Sequence, residues 1–313
     1  MIRVGEEIKG LDLPSLTTIN DRVFTGKLAI LLLSTIIIIW FVLSASGILL
    51  AAGVVALGLL YAHAVELQHQ CLHNTAFRKS SINRVVGITL GLPSLVSFSD
   101  YQASHFRHHK LLGTPEDKEF FNYNYESLTS LKAIIPHLFM LRHYRDVAVN
   151  ILRAFVGVTR SDVSVRLAHR IRTEYLIMSL FLAGMVTLTL VFWTPIFVKL
   201  WLLPLLIAIP THALIELPEH IGCDNGTVDV LNNTRTVKAG LFAAWFTDGN
   251  NYHVEHHWLP GVPNEKLPQL HRKLGEKIVY LETSYPAFYL NFLKQLYHHT
   301  LCVKKQIAKG VKR

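Results

Sequence analysis

Hydrophobic residues in this chain collect in long unbroken runs instead of recurring at amphipathic spacing. Leu28 to Leu43 reads LAILLLSTIIIIWFVL, and a second run from Gly47 to Leu60, continuing to Leu67, follows after only Ser44, Ala45 and Ser46. Another pair covers Tyr175 to Trp193 and Ile196 to Leu217, interrupted at Thr194 and Pro195. At 1.5 Å rise per residue, about 20 residues cross roughly 30 Å of hydrocarbon. The pattern therefore predicts an all-α integral membrane protein of one domain, residues 1–313. Its four transmembrane helices, about 28–44, 47–67, 175–193 and 196–217, form two hairpins. The first run reads as an anchor and not a cleavable signal, because a mostly polar segment precedes it and another span follows directly.

Polar blocks separate and follow the hairpins. Within residues 68–174, the moderately apolar stretch Val85 to Phe98 is too short, and too interrupted by Gly87, Gly91 and Pro93, to span; it predicts an interfacial or re-entrant helix. In the second block, helices are expected around Thr236 to Phe246 and from Glu265 to Leu281. The segment after Tyr297 reads as a basic surface tail near lipid headgroups. Together these blocks make a helical cap on one side of the membrane.

Composition agrees: half the residues are hydrophobic and 17% are charged, which a soluble globule rarely shows. Charge adds an orientation. Four Lys/Arg precede the first run, 14 lie between Gln68 and Glu174, 12 follow Leu217, and only Lys199 lies elsewhere. By the positive-inside rule both termini and the cap are cytoplasmic. The net charge of +9 is then largely topological. It also suits anionic headgroups or an acidic partner, and gives no reason to invoke nucleic acid. Cys71, Cys223 and Cys302 are isolated and lack CxxC spacing, so neither a disulfide framework nor a thiolate metal site is expected. The acceptor strings at Asn225 and Asn232 fall on the cytoplasmic side, where they are not glycosylated.

Candidate chemistry lies in histidine. Three motifs stand out among 17 histidines: His69-Gln-Cys-Leu-His73, His105-Phe-Arg-His108-His109 and His253-Val-Glu-His256-His257. On a helix, residues three and four apart share a face, so HxxxH directs two imidazoles to one point and HxxHH up to three. At a histidine frequency of about 5%, one HxxHH arises by chance in roughly one such chain in twenty, so two of them beside an HxxxH are not coincidence. So many neutral donors call for a cation. Imidazole suits iron, copper, zinc and nickel; eight or nine donors exceed one ion's capacity, and structural zinc favours four ligands with thiolates. Two irons fit best.

The three boxes, their order and their position after helical hairpins resemble the membrane fatty-acid desaturase superfamily, over roughly Tyr61 to Leu274. The resemblance implies a di-iron site ligated by His69, His73, His105, His108, His109, His253, His256 and His257. It also implies a ninth histidine near the exit of the last hairpin. The element Glu216-Leu-Pro-Glu-His220-Ile-Gly assigns this to His220, with His212 packed or supporting. The remaining histidines, His63, His137, His143, His169, His271, His298 and His299, lack paired spacing and read as surface or interfacial. Glu66, Asp100, Asp117, Asp248, Asn250, Asn251 and Glu255 flank the boxes and are candidates to orient imidazole N–H groups, or are ordinary caps. Trp245 to Tyr252 reads either as the mouth of a substrate tunnel or as an interfacial aromatic belt.

The implied activity is O2-dependent desaturation of an acyl chain carried on lipid, CoA or carrier protein. Hydroxylation, ketolation or acetylenic-bond formation on the same scaffold stays open, as does, in another class, a histidine-rich metal transporter or sensor. No haem segment, Cys-rich iron–sulfur segment or glycine-rich nucleotide fingerprint is present in the sequence, so electrons are expected from a separate ferredoxin-like or small cytochrome donor. Arg107, Lys110 and Lys238 are candidate docking charges.

Overall fold

The computed structural model of the chain describes residues 12–117 and 131–308. It is predominantly helical, and four of its helices are long and apolar enough to cross a membrane: Leu13–Ser44, Gly47–Leu72, Val165–Phe192 and Phe197–His220. The second and fourth are half-buried within the protein. The first and third turn side chains such as Leu33, Ile36, Ile37, Trp40 and Leu180 outward, all more than 60% exposed. So much contiguous apolar surface is stable only against another apolar phase, and a bilayer supplies it.

The helices outrun the apolar runs that predicted them. Gly47–Leu72 has 26 residues, about 39 Å, so it continues past the expected end at Leu67 and carries His69 in its last turn. Val165–Phe192 starts ten residues before the apolar run begins, with Arg166, Arg170 and Arg172 in that extension. Apolar content marks where lipid is; it does not mark where the backbone stops being helical.

Glycines let the spans approach. A Cβ on Gly58 would stand 2.6 Å from both Ile207 Cβ and the Pro204 carbonyl, so Gly47–Leu72 lies directly against the fourth span. Gly53 meets Phe41 and Val42 of the first span in the same way, and Lys27 Nζ near that span's other end donates to Gln70 Oε1 at 3.2 Å. The fourth span opens with a π-helical segment, Phe197–Leu202, before the α-helix Leu203–His220. Pro204 has no N–H for the Leu200 carbonyl one turn earlier, and the Tyr61 hydroxyl donates to that carbonyl at 2.6 Å instead.

The segment expected as one interfacial helix over Val85 to Phe98 is broken in two. Helix Ser80–Gly91 ends in a turn through Leu95, whose φ is +55°, and helix Phe98–Leu111 then begins. The break lies at Pro93, which is incompatible with a continuing helix. Helix Phe98–Leu111 is started by Ser97, whose hydroxyl accepts from Asp100 N. Buried Glu174 of the third span reinforces this start, its carboxylate accepting from Ser97 Oγ, Ser99 N, Ser99 Oγ and Arg84 Nη2 at 2.6–3.1 Å.

Beyond the fourth span two expectations are corrected. Residues 235–237 form a strand, not the start of a helix, and pair in parallel with Tyr280–Glu282, where the expected helix from Glu265 to Leu281 had been continuous. The helical parts are shorter: Leu241–Phe246, a 3-10 turn at Asn264–Lys266, and Leu267–Leu274. Gly240 is the N-cap of Leu241–Phe246 and Gly275 the C-cap of Leu267–Leu274, and the β-branched Thr236 and Val237 suit a strand whose partner lies 45 residues away. The tail is also helical, in Tyr285–Ala308. Cys71 and Cys223 are buried and free, whereas the Cys302 side chain lies outside the described residues.

Candidate metal centre

Four segments bring histidines to one place. His69 lies in the last turn of Gly47–Leu72, and His73 is its C-cap. His105, His108 and His109 lie on Phe98–Leu111, His220 is the last residue of Leu203–His220, and His253, His256 and His257 lie on the short helix His253–Trp258. These nine side chains separate into two groups. His69, His73, His105 and His256 form one, His108, His220, His253 and His257 the other; in each, the donor atoms lie within 4.8 Å of one another. His109 adjoins the first, its Nε2 3.0 Å from that of His105 and 3.1 Å from that of His256.

Helix geometry explains the sorting. Positions i and i+4 differ by only about 40° around the axis, and each such pair (69/73, 105/109, 253/257) stays in one group. Residue i+3 is displaced the other way, and His108 and His256 accordingly join the opposite group from their own pair. One HxxHH helix thus contributes to both groups.

The nitrogens that converge are all Nε2. Neighbours approach at 2.8 Å (His69 and His105), 3.0 Å (His73 and His105), 3.1 Å (His253 and His257), 3.2 Å (His220 and His253) and 3.3 Å (His108 and His220). Donors at right angles on an ion with bonds of about 2.1 Å would stand roughly 3.0 Å apart, which fits these spacings. Protonation state points the same way. His69 Nδ1–H donates to Asn250 Oδ1 at 2.9 Å, His108 Nδ1–H to Asp117 at 3.0 Å, and His220 Nδ1–H to the Asn233 carbonyl at 3.1 Å. With the proton on Nδ1, each Nε2 presents a lone pair, and lone pairs facing one another at 3 Å need a cation between them. Burial holds the imidazoles of His73, His105, His109, His253, His256 and His257 well below the ordinary histidine range, and the crowding of neighbouring rings lowers them further. They are neutral, the state that binds metal.

Around the nine lies a layer of fixed hydrogen bonds. Asn250 also donates to Glu66 Oε2 at 2.7 Å, and Glu66 Oε1 lies 2.8 Å from His212 Nδ1. His212 is therefore held between Glu66 and Glu216 and belongs to neither group. Glu255 anchors the last box by accepting from Thr236 Oγ1 at 2.6 Å and pairing with His271 Nδ1. Asn251 clamps the strand: Val237 N donates to its carbonyl and its own Nδ2 donates back to the Val237 carbonyl, both at 2.9 Å. Asp248, at φ +52°, pairs with Lys27 at 2.6 Å, which ties the first span to the turn before the box. Asp100 instead pairs with Arg160 and accepts from the Tyr175 hydroxyl at 2.7 Å. His63 lies outside both groups, its Nδ1 2.7 Å from the Phe246 carbonyl and its ring against Trp245, so the Trp245–Tyr252 segment packs on the second span and orients His69.

Sequence reasoning passed over Lys27, Arg235 and Asn264, and read His271, the partner of buried Glu255, only as a surface or interfacial residue. Lys27 carried a signal, a lone cation entering an apolar run. Arg235 carried none: its Nη1 donates to the carbonyls of Pro218 and Ile221 and caps the helix end that presents His220. A cavity of about 840 Å³ opens beside Phe98–Leu111, lined by Asp100, Arg145, Arg153, Arg160 and Arg172 among others. So polar a lining does not suit an acyl chain.

Comparison with known proteins agrees with this arrangement. The sequence is 23% identical over 244 residues to a Delta(8)-fatty-acid desaturase of Euglena gracilis, an alignment covering 69% of this chain and 58% of that protein. The chain thus matches a little over half the length of that relative. The sequence model of the fatty acid desaturase family matches residues 46–289, from the turn before the second span to the last helix and through every histidine of both groups. By that match, which covers most of its length, the chain belongs to the fatty acid desaturase family.

Proposed function

We propose that this protein is a membrane di-iron desaturase that uses O2 and two external electrons to introduce a double bond into a fatty acyl chain. The observation that carries this reading is the convergence of nine imidazoles, through Nε2, into two adjoining groups at the spacing of ligands on shared ions. His69, His73, His105, His109 and His256 would hold one iron, and His108, His220, His253 and His257 the other. Bound there, the irons supply an O2-derived oxidant able to take hydrogen from an unactivated C–H bond, which no side chain can do.

The chain's own residues supply aim and exclusion. Asn250, Asp117 and the Asn233 carbonyl fix three rings by holding their Nδ1 protons. Seven of the nine rings are buried, which limits the access of bulk water to the centre. Removing two hydrogens from adjacent carbons, with O2, two electrons and two protons, yields the alkene and two waters. The electrons come from a separate donor, a ferredoxin-like protein or small cytochrome. Exposed Arg107 and Lys110, beside His108 and His109 on Phe98–Leu111, and exposed Lys238 after the strand that supports the last box are basic groups that suit an acidic donor. The distribution of Lys and Arg supports two helical hairpins with a cytoplasmic cap, one domain with both termini inside.

Expression in a host lacking the product, with a compatible donor, followed by mass spectrometry of total fatty acids tests this. Loss of two hydrogens from an acyl chain, dependent on His108, is expected. A gain of one oxygen would replace desaturation by hydroxylation on the same centre. Metal movement across the membrane without oxygen consumption would overturn the enzyme reading altogether.

A further inference from the structure

Nine histidines divide as five and four, and the smaller group has a carboxylate at its edge. Glu219 directly precedes His220 in the last turn of Leu203–His220. Its Oε2 lies 3.3 Å from His253 Nε2, and its side chain is 12% exposed. His253 Nε2 stands 3.1 Å from His257 Nε2 and 3.2 Å from His220 Nε2. The carboxylate oxygen therefore stands off from His253 much as the members of this group stand off from one another.

Two arrangements can explain that distance, and they exclude each other. If Glu219 accepts a hydrogen bond from His253, the proton occupies Nε2 and His253 is lost as a donor to metal, because a ring nitrogen holds a proton or a metal but not both. The second group would then keep three imidazoles. If instead Nε2 of His253 carries a lone pair, like that of His220 beside it, an anionic oxygen at 3.3 Å is repelled unless a cation lies between the two. We infer that Glu219 is a ligand of the second ion, completing five donors at each centre: five imidazoles at the first, four imidazoles and one carboxylate at the second. This rests on the two-iron reading above.

Charge supports the assignment. Two divalent ions among neutral imidazoles concentrate four positive charges in a buried site, and one carboxylate ligand lowers that total. An oxygen donor is also harder than imidazole, so the two ions become chemically unlike, the second better suited to a higher oxidation state.

The full-length chain in lipid nanodiscs, loaded anaerobically with ferrous iron-57, provides the test through iron content, chelator competition and Mössbauer spectra. Wild-type protein is expected to hold two irons with two distinct signals. Glu219→Gln should lower affinity at one centre by about 100-fold or more, beyond what loss of a merely supporting hydrogen bond costs, and should shift one signal while sparing the other. Glu219→His, which offers a ligand atom but no carboxylate, should restore two irons with an altered second signal; it also decides the question if Glu219→Gln does not fold. Two irons of unchanged affinity and spectrum in Glu219→Gln would overturn the assignment, as would failure of Glu219→His to hold the second iron. Wild-type protein that binds fewer than two irons would instead defeat the two-iron reading, and Glu219's role with it.

Discussion

Asn250 connects the first group of histidines to the carboxylates inside the membrane span. It is 3% exposed; its Oδ1 accepts from His69 Nδ1 and from Asn264 Nδ2, each at 2.9 Å, and its Nδ2 donates to Glu66 Oε2 at 2.7 Å. Asn250→Ala removes all three bonds and leaves three buried polar groups without them. An unmet buried group costs about 1–3 kcal/mol, with the carboxylate at the upper end. Water entering the amide-sized space recovers part of this, so the expected loss of stability is about 3–5 kcal/mol. Freed of its anchor, the His69 ring also loses its fixed tautomer, and affinity for iron at the first centre should fall about 10–100-fold. Asn250→Asp separates the two effects. It keeps the acceptor for His69, so affinity should stay nearer to wild type, but it sets a carboxylate against Glu66 and still destabilises the fold. Chelator competition for ferrous iron and thermal unfolding of the metal-free protein measure the two quantities. Asn250→Ala that binds iron within about threefold of wild type would refute the claim that this side chain orients His69.

Other expectations follow from single features. Gly113 has φ +80° and would place a Cβ 1.8 Å from the Thr227 carbonyl, so Gly113→Ala should abolish accumulation of folded protein, read by gel filtration in detergent. Glu174→Ala strips the start of Phe98–Leu111 of its acceptor and should cost about 3–5 kcal/mol, with Glu174→Gln intermediate, by thermal unfolding. His143 is a buried imidazole pushed down to about 4, chiefly by desolvation. Below pH 6.5 the unfolded chain takes up a proton that the folded one refuses, so this contribution to stability is present above 6.5 and declines as pH falls toward 4. His143→Asn should flatten the acid limb of a melting-temperature profile of the metal-free protein. Lys27→Met should weaken the tie between the first span and the turn before the last box, and so lower melting temperature without loss of iron stoichiometry.

What was legible in the sequence is whatever one helix can express alone. Apolar runs located four spans because burial in lipid needs no partner, and the i, i+4 and i, i+3 spacings of the boxes told which rings share a face. The same runs misjudged helix ends, since Leu72 and Val165 are set by hydrogen bonding and not by hydropathy. Thr236 and Tyr280 were illegible for a different reason: a three-residue parallel strand exists only with its partner, and the 42 residues between the two strands hide the pairing. Arg235 reads as one basic residue among many until the Pro218 and Ile221 carbonyls are placed at its tip.

The division of nine rings into two groups lies between these cases. Spacing predicts that His108 diverges from His105 and His109, but not which neighbours it will meet. That depends on His220, delivered by a helix about 110 residues away whose end is fixed by Arg235, and on His253 and His257, delivered by a six-residue helix too short to be stable alone. The short helix is held by Glu255 to Thr236 and His271, and by Asn251 to Val237. Its stability is therefore borrowed from the small sheet, on which the second group depends for two rings, His253 and His257, and the first for one, His256. Thr236→Val keeps the strand propensity and volume but removes the hydroxyl that Glu255 accepts from, so it separates these roles. It should loosen iron at the second centre, which takes two rings from the short helix, more than at the first, which takes one, and equal loss at both centres would refute this unequal dependence.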